Sequence, residues 1–197
     1  VPQALFGIVQ GAIHPDLRRA SARATGSLGL PGFAVGGLAV GEPRETLLEM
    51  LEVVEPELDP GRPRHLMGVG FPEDLVEAVA RGMDLFDCVA PTRHGRTGAL
   101  YTRDGRINLR SAAHRRDHGP IDPECDCRAC ARFSRAYLAH LVHAGEILGL
   151  RLATYHNVAF VVRLLRDART AITDGRFGSW RAEFHDRWRT RGAPQPD

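Results

Sequence analysis

Four short apolar runs fall in the first 96 residues, and each carries a small or polar group at or near its end. Ala4 to Val9 stop at Gln10-Gly11, Phe33 to Val35 stop at Gly36-Gly37, His65 to Gly70 contain Gly68, and Leu85 to Val89 enclose Asp87. Helix-compatible segments lie between them. The first, Pro15 to about Ala24, has proline and aspartate in its opening turn. The second starts near Pro43 and sets Leu47, Leu48, Leu51 and Val54 on one face, with Glu45, Glu49 and Glu52 opposite. The third, Pro72 to Arg81, carries Leu75, Val76 and Val79. Short strands alternating with helices of this length are the pattern of a parallel α/β fold. A (β/α)8 barrel builds its site from the C-terminal ends of several strands, whereas a doubly wound sheet uses one switch point. Four polar strand ends predict the barrel. A full barrel takes eight units and about 250 residues. Four units therefore predict the C-terminal half of a longer protein.

Composition excludes some classes outright. The chain has 197 residues, 43% apolar and 25% charged, which suits a globular domain with a real core. No apolar run approaches bilayer length, and no charged-then-apolar leader stands at the N-terminus, so a cytoplasmic location is expected. The net charge of +2 hides an asymmetry: all 26 cations are arginine. Arg93, Arg96, Arg103, Arg106, Arg110, Arg115 and Arg116 crowd one segment in which Asp104 is the one acid before Asp117. Such a segment suits phosphate contacts better than a small neutral substrate.

Asp87 is the most chemically suggestive residue of the first half. Leu85-Phe86-Asp87-Cys88-Val89 reads as a buried strand ended by Pro91, and a basic loop with Arg93, His94 and Arg96 follows at once. Burial disfavours the ionised form of a carboxylate and neighbouring cations restore it, which makes such a group chemically useful. Cys88 beside it reads as a packing residue, since no pattern pairs it with a base.

Past Arg96 the text changes. Ala99 to Thr102 and Ile107 to Leu109 predict a hairpin around Asp104-Gly105. A helix is expected from Phe133 to Leu148, stopped by Gly149, and a second from about Leu152 to Ala171, with His156 in its first turns. Trp180 and Trp188 fall in a short C-terminal helix, and the tail from Gly192 to Asp197 reads as disordered. The expected domains are residues 1–98 (barrel half), 99–175 (hairpin plus zinc-binding, mainly helical subdomain) and 176–197 (C-terminal helix and tail). Cys125, Cys127 and Cys130 lie within six residues. Thiolates that close in a reducing compartment favour zinc over disulfides. A fourth ligand would close a tetrahedral Cys3His site of structural type. His156 is the expected one, because a helix packing back over the loop brings it to the cysteines; His114, His118 and His140 are the alternatives.

These segments together resemble a known family. Leu5-Phe6-Gly7-Ile8-Val9-Gln10-Gly11, Gly36-Gly37-Leu38-Ala39-Val40-Gly41-Glu42, Leu66-Met67-Gly68-Val69-Gly70, Phe86-Asp87-Cys88-Val89 with Pro91-Thr92-Arg93, and the Cys-x-Cys-x-x-Cys cluster with a distant histidine are similar to bacterial tRNA-guanine transglycosylase (queuine tRNA-ribosyltransferase). The resemblance runs from residue 4 to about residue 190. It implies a zinc-containing TIM barrel that exchanges guanine at the tRNA wobble position for 7-aminomethyl-7-deazaguanine, in queuosine biosynthesis. It matches Asp87 to the nucleophile that forms a covalent intermediate with the ribose. It matches Gln10 and Gly37 to base recognition, with Leu38 and Met67 flanking the ring. It matches Gly68, Val69, Gly70, Phe71, Pro72, Glu73 and Asp74, and Thr92, Arg93, His94, Gly95 and Arg96, to RNA contacts. Cys125, Cys127, Cys130 and His156 match the ligands of one structural zinc ion. The implied partners are a tRNA, a 7-deazaguanine base and a second copy in a homodimer. The family's proton-acceptor aspartate belongs to the other half of the barrel, so the chain alone is expected to be inactive. The alternative is a zinc-stabilised tRNA-binding module or accessory subunit.

Overall fold

The computed structural model describes residues 3–191. The tail from Gly192 to Asp197 lies outside them. The chain divides into two compact units, residues 1–88 and 89–197.

The first unit is a parallel sheet with helices. Strands β1 (Phe6–Val9), β2 (Gly32–Val35), β3 (Arg64–Leu66) and β4 (Leu85–Phe86) pair in chain order, all parallel. Helices α1 (Pro15–Gly26), α2 (Arg44–Val54) and α3 (Pro72–Val79) make the crossovers. The order never reverses, so these four strands contain no switch point of the doubly wound kind. Register then separates the two faces. Val9, Val35, Leu66 and Phe86 form one row and pack into the core with Leu47, Met50, Leu51 and Val54 of α2. Ile8, Ala34, His65 and Leu85 form the neighbouring row on the opposite face, where Ile8 and Leu85 are exposed.

The second unit is mainly helical. It holds α4 (Ala90–Thr97), a hairpin of β5 (Ala99–Thr102) and β6 (Gly105–Asn108), then α5 (Arg128–Arg132), α6 (Arg135–His143), α7 (Ile147–Thr173) and α8 (Phe177–Arg191). Leu100, Leu109, Ile121, Leu138, Val142 and Ala153 form its core beside the cysteines.

Three expectations need correction. The stretch around Asp87 is not a buried five-residue strand: β4 is two residues long, and Leu85, Asp87 and Val89 are exposed. The basic segment Thr92 to Arg96 is not a loop but the body of α4. Pro91, which reads as a stop, stands in the first turn of that helix, where its missing N–H costs nothing. Gly149 does not end a helix. Gly145, at φ 72°, closes α6, while Gly149 lies inside α7 against Leu141. A Cβ at Gly149 would sit 2.8 Å from Leu141 Cβ, so the glycine serves the close crossing of α6 and α7.

Candidate active site and metal centre

The residue after each strand of the Val9–Val35–Leu66–Phe86 row is Gln10, Gly36, Met67 and Asp87. One register row therefore brings together the ends of all four strands. The Gln10 side chain lies along the Gly36-Gly37 backbone so closely that a Cβ would fall 2.9 Å from its Nε2 at Gly36 and 2.8 Å from its Oε1 at Gly37. Gly37 has φ +66°, and glycine is what both the turn and the approach require. Gln10 and Gly37 are exposed, Met67 is half-buried, and Leu38 is 1% exposed within the core of the unit.

Sequence reasoning missed the residue that fixes this rim. Arg18 of α1 is fully buried, and its guanidinium donates to Gly36 O (2.8 Å), Gly37 O (2.9 Å), Ala12 O (2.8 Å) and Val9 O (3.4 Å). Burial lowers its pKa, and Glu42 acts in the opposite direction. The group stays charged, and its rigid fork ties the ends of β1 and β2 together. Arg18→Leu strips charge-assisted bonds from four carbonyls. It is expected to cost about 3–5 kcal/mol of stability, read as a lowered urea midpoint at unchanged slope. Arg18→Lys, which lacks the fork, should recover only part of it.

Asp87 ends the rim with its side chain 63% exposed. Gly68 N–H donates to its Oδ1 at 3.3 Å, and His65 Nε2 lies 3.0 Å from the same oxygen. A histidine, passed over in an apolar run of the sequence, is what meets the carboxylate. Gly70 packs on Cys88 so tightly that a Cβ there would collide with it, which accounts for the small residue. Phe71 caps α3, with Pro72, Glu73 and Asp74 in its first turn, and Arg44 pairs with Asp74.

In α4, Arg93 and Arg96 are exposed, and Thr92 Oγ1 donates to Val89 O. His94 Nδ1 lies 3.1 Å from the Tyr101 hydroxyl. Burial, then Arg106 and Arg93, hold this imidazole below its ordinary value, so it is neutral at pH 7. Gly95 faces α7, where a Cβ would stand 2.5 Å from Thr154 Cα.

The metal centre is built on α7. Cys125, Cys127, Cys130 and His156 place their ligand atoms within 4.8 Å of one another. The three sulfurs lie 3.9, 3.5 and 3.3 Å from His156 Nδ1. A tetrahedral zinc ion with bonds of about 2.3 Å to sulfur and 2.0 Å to nitrogen requires edges of roughly 3.6 Å. The set fits one structural zinc, and His114, His118 and His140 are not part of it. His156 Nε2 donates to Tyr101 O at 2.7 Å, which fixes the tautomer and leaves Nδ1 for the metal. The crowded thiols ionise unequally: hydrogen bonds with Cys125 and Cys130 hold Cys127 down at about 3, whereas those with Cys125 and Cys127 push Cys130 up.

The next residue, Asn157, is fully buried and uses its whole amide. Its Oδ1 accepts from Tyr101 N–H (3.0 Å), and its Nδ2 donates to Pro91 O (3.0 Å) and Ala99 O (2.9 Å). The helix that carries the metal ligand thus also grips the first turn of α4. Asp122, also buried, accepts from the backbone N–H of Arg103 and Glu124 and shapes the turn into Cys125. No signal in the sequence marks either residue.

The family described as Queuine tRNA-ribosyltransferase matches residues 1–190. The chain belongs to that family. A queuine tRNA-ribosyltransferase of Herpetosiphon aurantiacus is 54% identical over 188 residues, which are 95% of this chain and 48% of that protein. One from Acetivibrio thermocellus is 53% identical over 186 residues, 94% of this chain and 50% of that protein. One from Neisseria meningitidis is 52% identical over 191 residues, 97% of this chain and 51% of that protein. The chain spans about half the length of these queuine tRNA-ribosyltransferases. Among the described residues no helix is long and apolar enough to cross a membrane.

Proposed function

We propose that this chain is the C-terminal half of a (β/α)8 barrel with an inserted zinc subdomain, and that it carries the nucleophile of a tRNA-guanine transglycosylase. On this reading Asp87 attacks the ribose anomeric carbon of the wobble guanosine. The bond from carboxylate to anomeric carbon forms as the glycosidic bond breaks, its electron pair leaving with guanine. An incoming 7-aminomethyl-7-deazaguanine then attacks the same carbon and releases Asp87, so that two inversions give net retention. The observation that carries the reading is the exposed Asp87 carboxylate, whose Oδ2 has no hydrogen-bond partner among the described residues, at the rim that also holds Gln10 and Met67. Gln10 and the Gly37 backbone would read the base edge, with Met67 against the ring. Exposed Arg93 and Arg96 on one face of α4 suit phosphate contacts, and a flipped wobble base suits an open rim. Proton transfer is assigned to the other half of the barrel.

A homodimer is part of the proposal. Phe133 and Tyr137 stack at 5.4 Å beside the metal site, and Tyr137 stays 40% exposed, an arrangement suited to an aromatic anchor between two copies. The test is incorporation of labelled guanine into a tRNA with guanine at the wobble position, with zinc content and tRNA affinity measured alongside. This chain is expected to bind zinc and tRNA without turnover, and to turn over once a chain supplying the other half is added. Failure to bind tRNA would overturn the reading. Turnover by this chain alone would overturn the assignment of proton transfer.

A further inference from the structure

We propose that His65 is a positioning residue for Asp87, holding one carboxylate oxygen so that the other is presented for attack. The inference rests on the reading of Asp87 as nucleophile. His65 on β3 pairs in register with Leu85 on β4, and Asp87 lies two residues beyond Leu85, on the same face of the sheet. The diagonal neighbour in a sheet is within reach of a long side chain. Here His65 Nε2 stands 3.0 Å from Asp87 Oδ1.

A carboxylate needs such help at this position. Asp87 follows a strand of only two residues, and its side chain is 63% exposed. The terminal torsion of aspartate is broad and roughly two-fold, so an unsupported carboxylate presents either oxygen. Two groups break that symmetry by meeting at one atom: His65 Nε2 and the Gly68 N–H, which donates at 3.3 Å, both address Oδ1. Oδ2 has no hydrogen-bond partner among the described residues and is the atom left to react. Both supports come from β3 and the turn after it, where Gly68 takes φ +78°. His65 is itself only 28% exposed, so its ring is better confined than the carboxylate it meets. When Oδ2 bonds to the anomeric carbon and the electron pair of the glycosidic bond departs with the base, Oδ1 becomes the carbonyl oxygen of the ester. His65 and Gly68 continue to face it, so the support is made before reaction and kept through it.

The test compares His65→Ala, His65→Phe and His65→Gln in the zinc-loaded chain, with the other barrel half present. Two quantities are read: the single-turnover rate of covalent adduct formation with tRNA on denaturing gels, and tRNA affinity by filter binding. Loss of positioning is expected to slow adduct formation about 100-fold in the Ala and Phe variants while affinity stays within about twofold. Gln, whose amide N–H reaches a similar place, should recover most of the rate. A wild-type rate in His65→Ala, or a Gln variant no better than Phe, would overturn the proposal. NMR keeps the test independent of the nucleophile reading. His65→Ala should shift the Asp87 carboxyl carbon and the Gly68 amide in the chain without tRNA. Unmoved resonances there also overturn it. Absence of any wild-type adduct counts against Asp87 as nucleophile, and the NMR result then decides the role of His65.

Discussion

Asp87→Asn is expected to abolish covalent capture of tRNA while zinc content, tRNA affinity and thermal stability stay at wild-type values. The substitution keeps the shape and an oxygen that can accept from Gly68 N–H, so the rim has no reason to move. It replaces an anionic oxygen with a neutral amide, which is a poor nucleophile toward an electron-deficient carbon. Removal of a nucleophile in a covalent mechanism costs on the order of 10⁴-fold or more. The exposed position of Asp87 makes the experiment clean, since no buried partner is orphaned. The readout is the band of tRNA-linked protein on a denaturing gel, with the other barrel half present. An adduct of undiminished yield from the Asn variant would move the nucleophile elsewhere in the chain.

Loss of the metal ranks second in expected effect. A structural zinc held by cysteine and histidine contributes about 10 kcal/mol or more of apparent folding free energy at pH 7. His156→Ala, Cys127→Ser or a strong chelator is therefore expected to unfold the second unit cooperatively. The loss should appear as a fall in helical signal dominated by the 27-residue α7. Metal analysis should find one zinc per chain in the wild type and none in these variants. Two buried sulfurs and a fully buried imidazole would otherwise crowd together with no ion to balance them. An unchanged melting curve in chelator would show that the four residues hold nothing the fold depends on.

What the sequence made legible was mostly local. The metal ligands could be read because three cysteines at short spacing admit few other uses, and a returning helix had to supply the fourth group. The ends of β1 and β2 could be read because an apolar run stopped by glycine or a polar group has a visible boundary, whereas β3 and β4 end before their apolar runs do. What escaped depended on tertiary contact. Gly149 looks the same in the text whether it ends a helix or lets two helices touch, and only Leu141 across the gap decides. Pro91 reads as the end of a strand, yet the strand ends at Phe86 and Pro91 stands in the first turn of a helix. Arg18 lies in a polar helix and reads as solvated, yet it is the most deeply buried cation of the first unit. His65 sits in an apolar run that gives no hint that Asp87, on another strand, reaches back to it. Asn157 follows a ligand and looks incidental until its three bonds are seen.

The register row that aligns Gln10, Gly36, Met67 and Asp87 bears on how this half-chain can vary. These residues inherit their positions from pairing inside the sheet, so the connections at the other end of the strands are free to change length. Those connections are residues 27–31 and 59–62, where a change of one residue is expected to leave the rim side chains on their own face. An insertion within β3 is different. It would send His65 to the helix-facing side and carry Met67 away from the rim, because side chains alternate faces at every step. Variation in length should therefore collect at one end of the sheet and variation in side chain at the other, with the chemistry insulated from drift in the loops behind it.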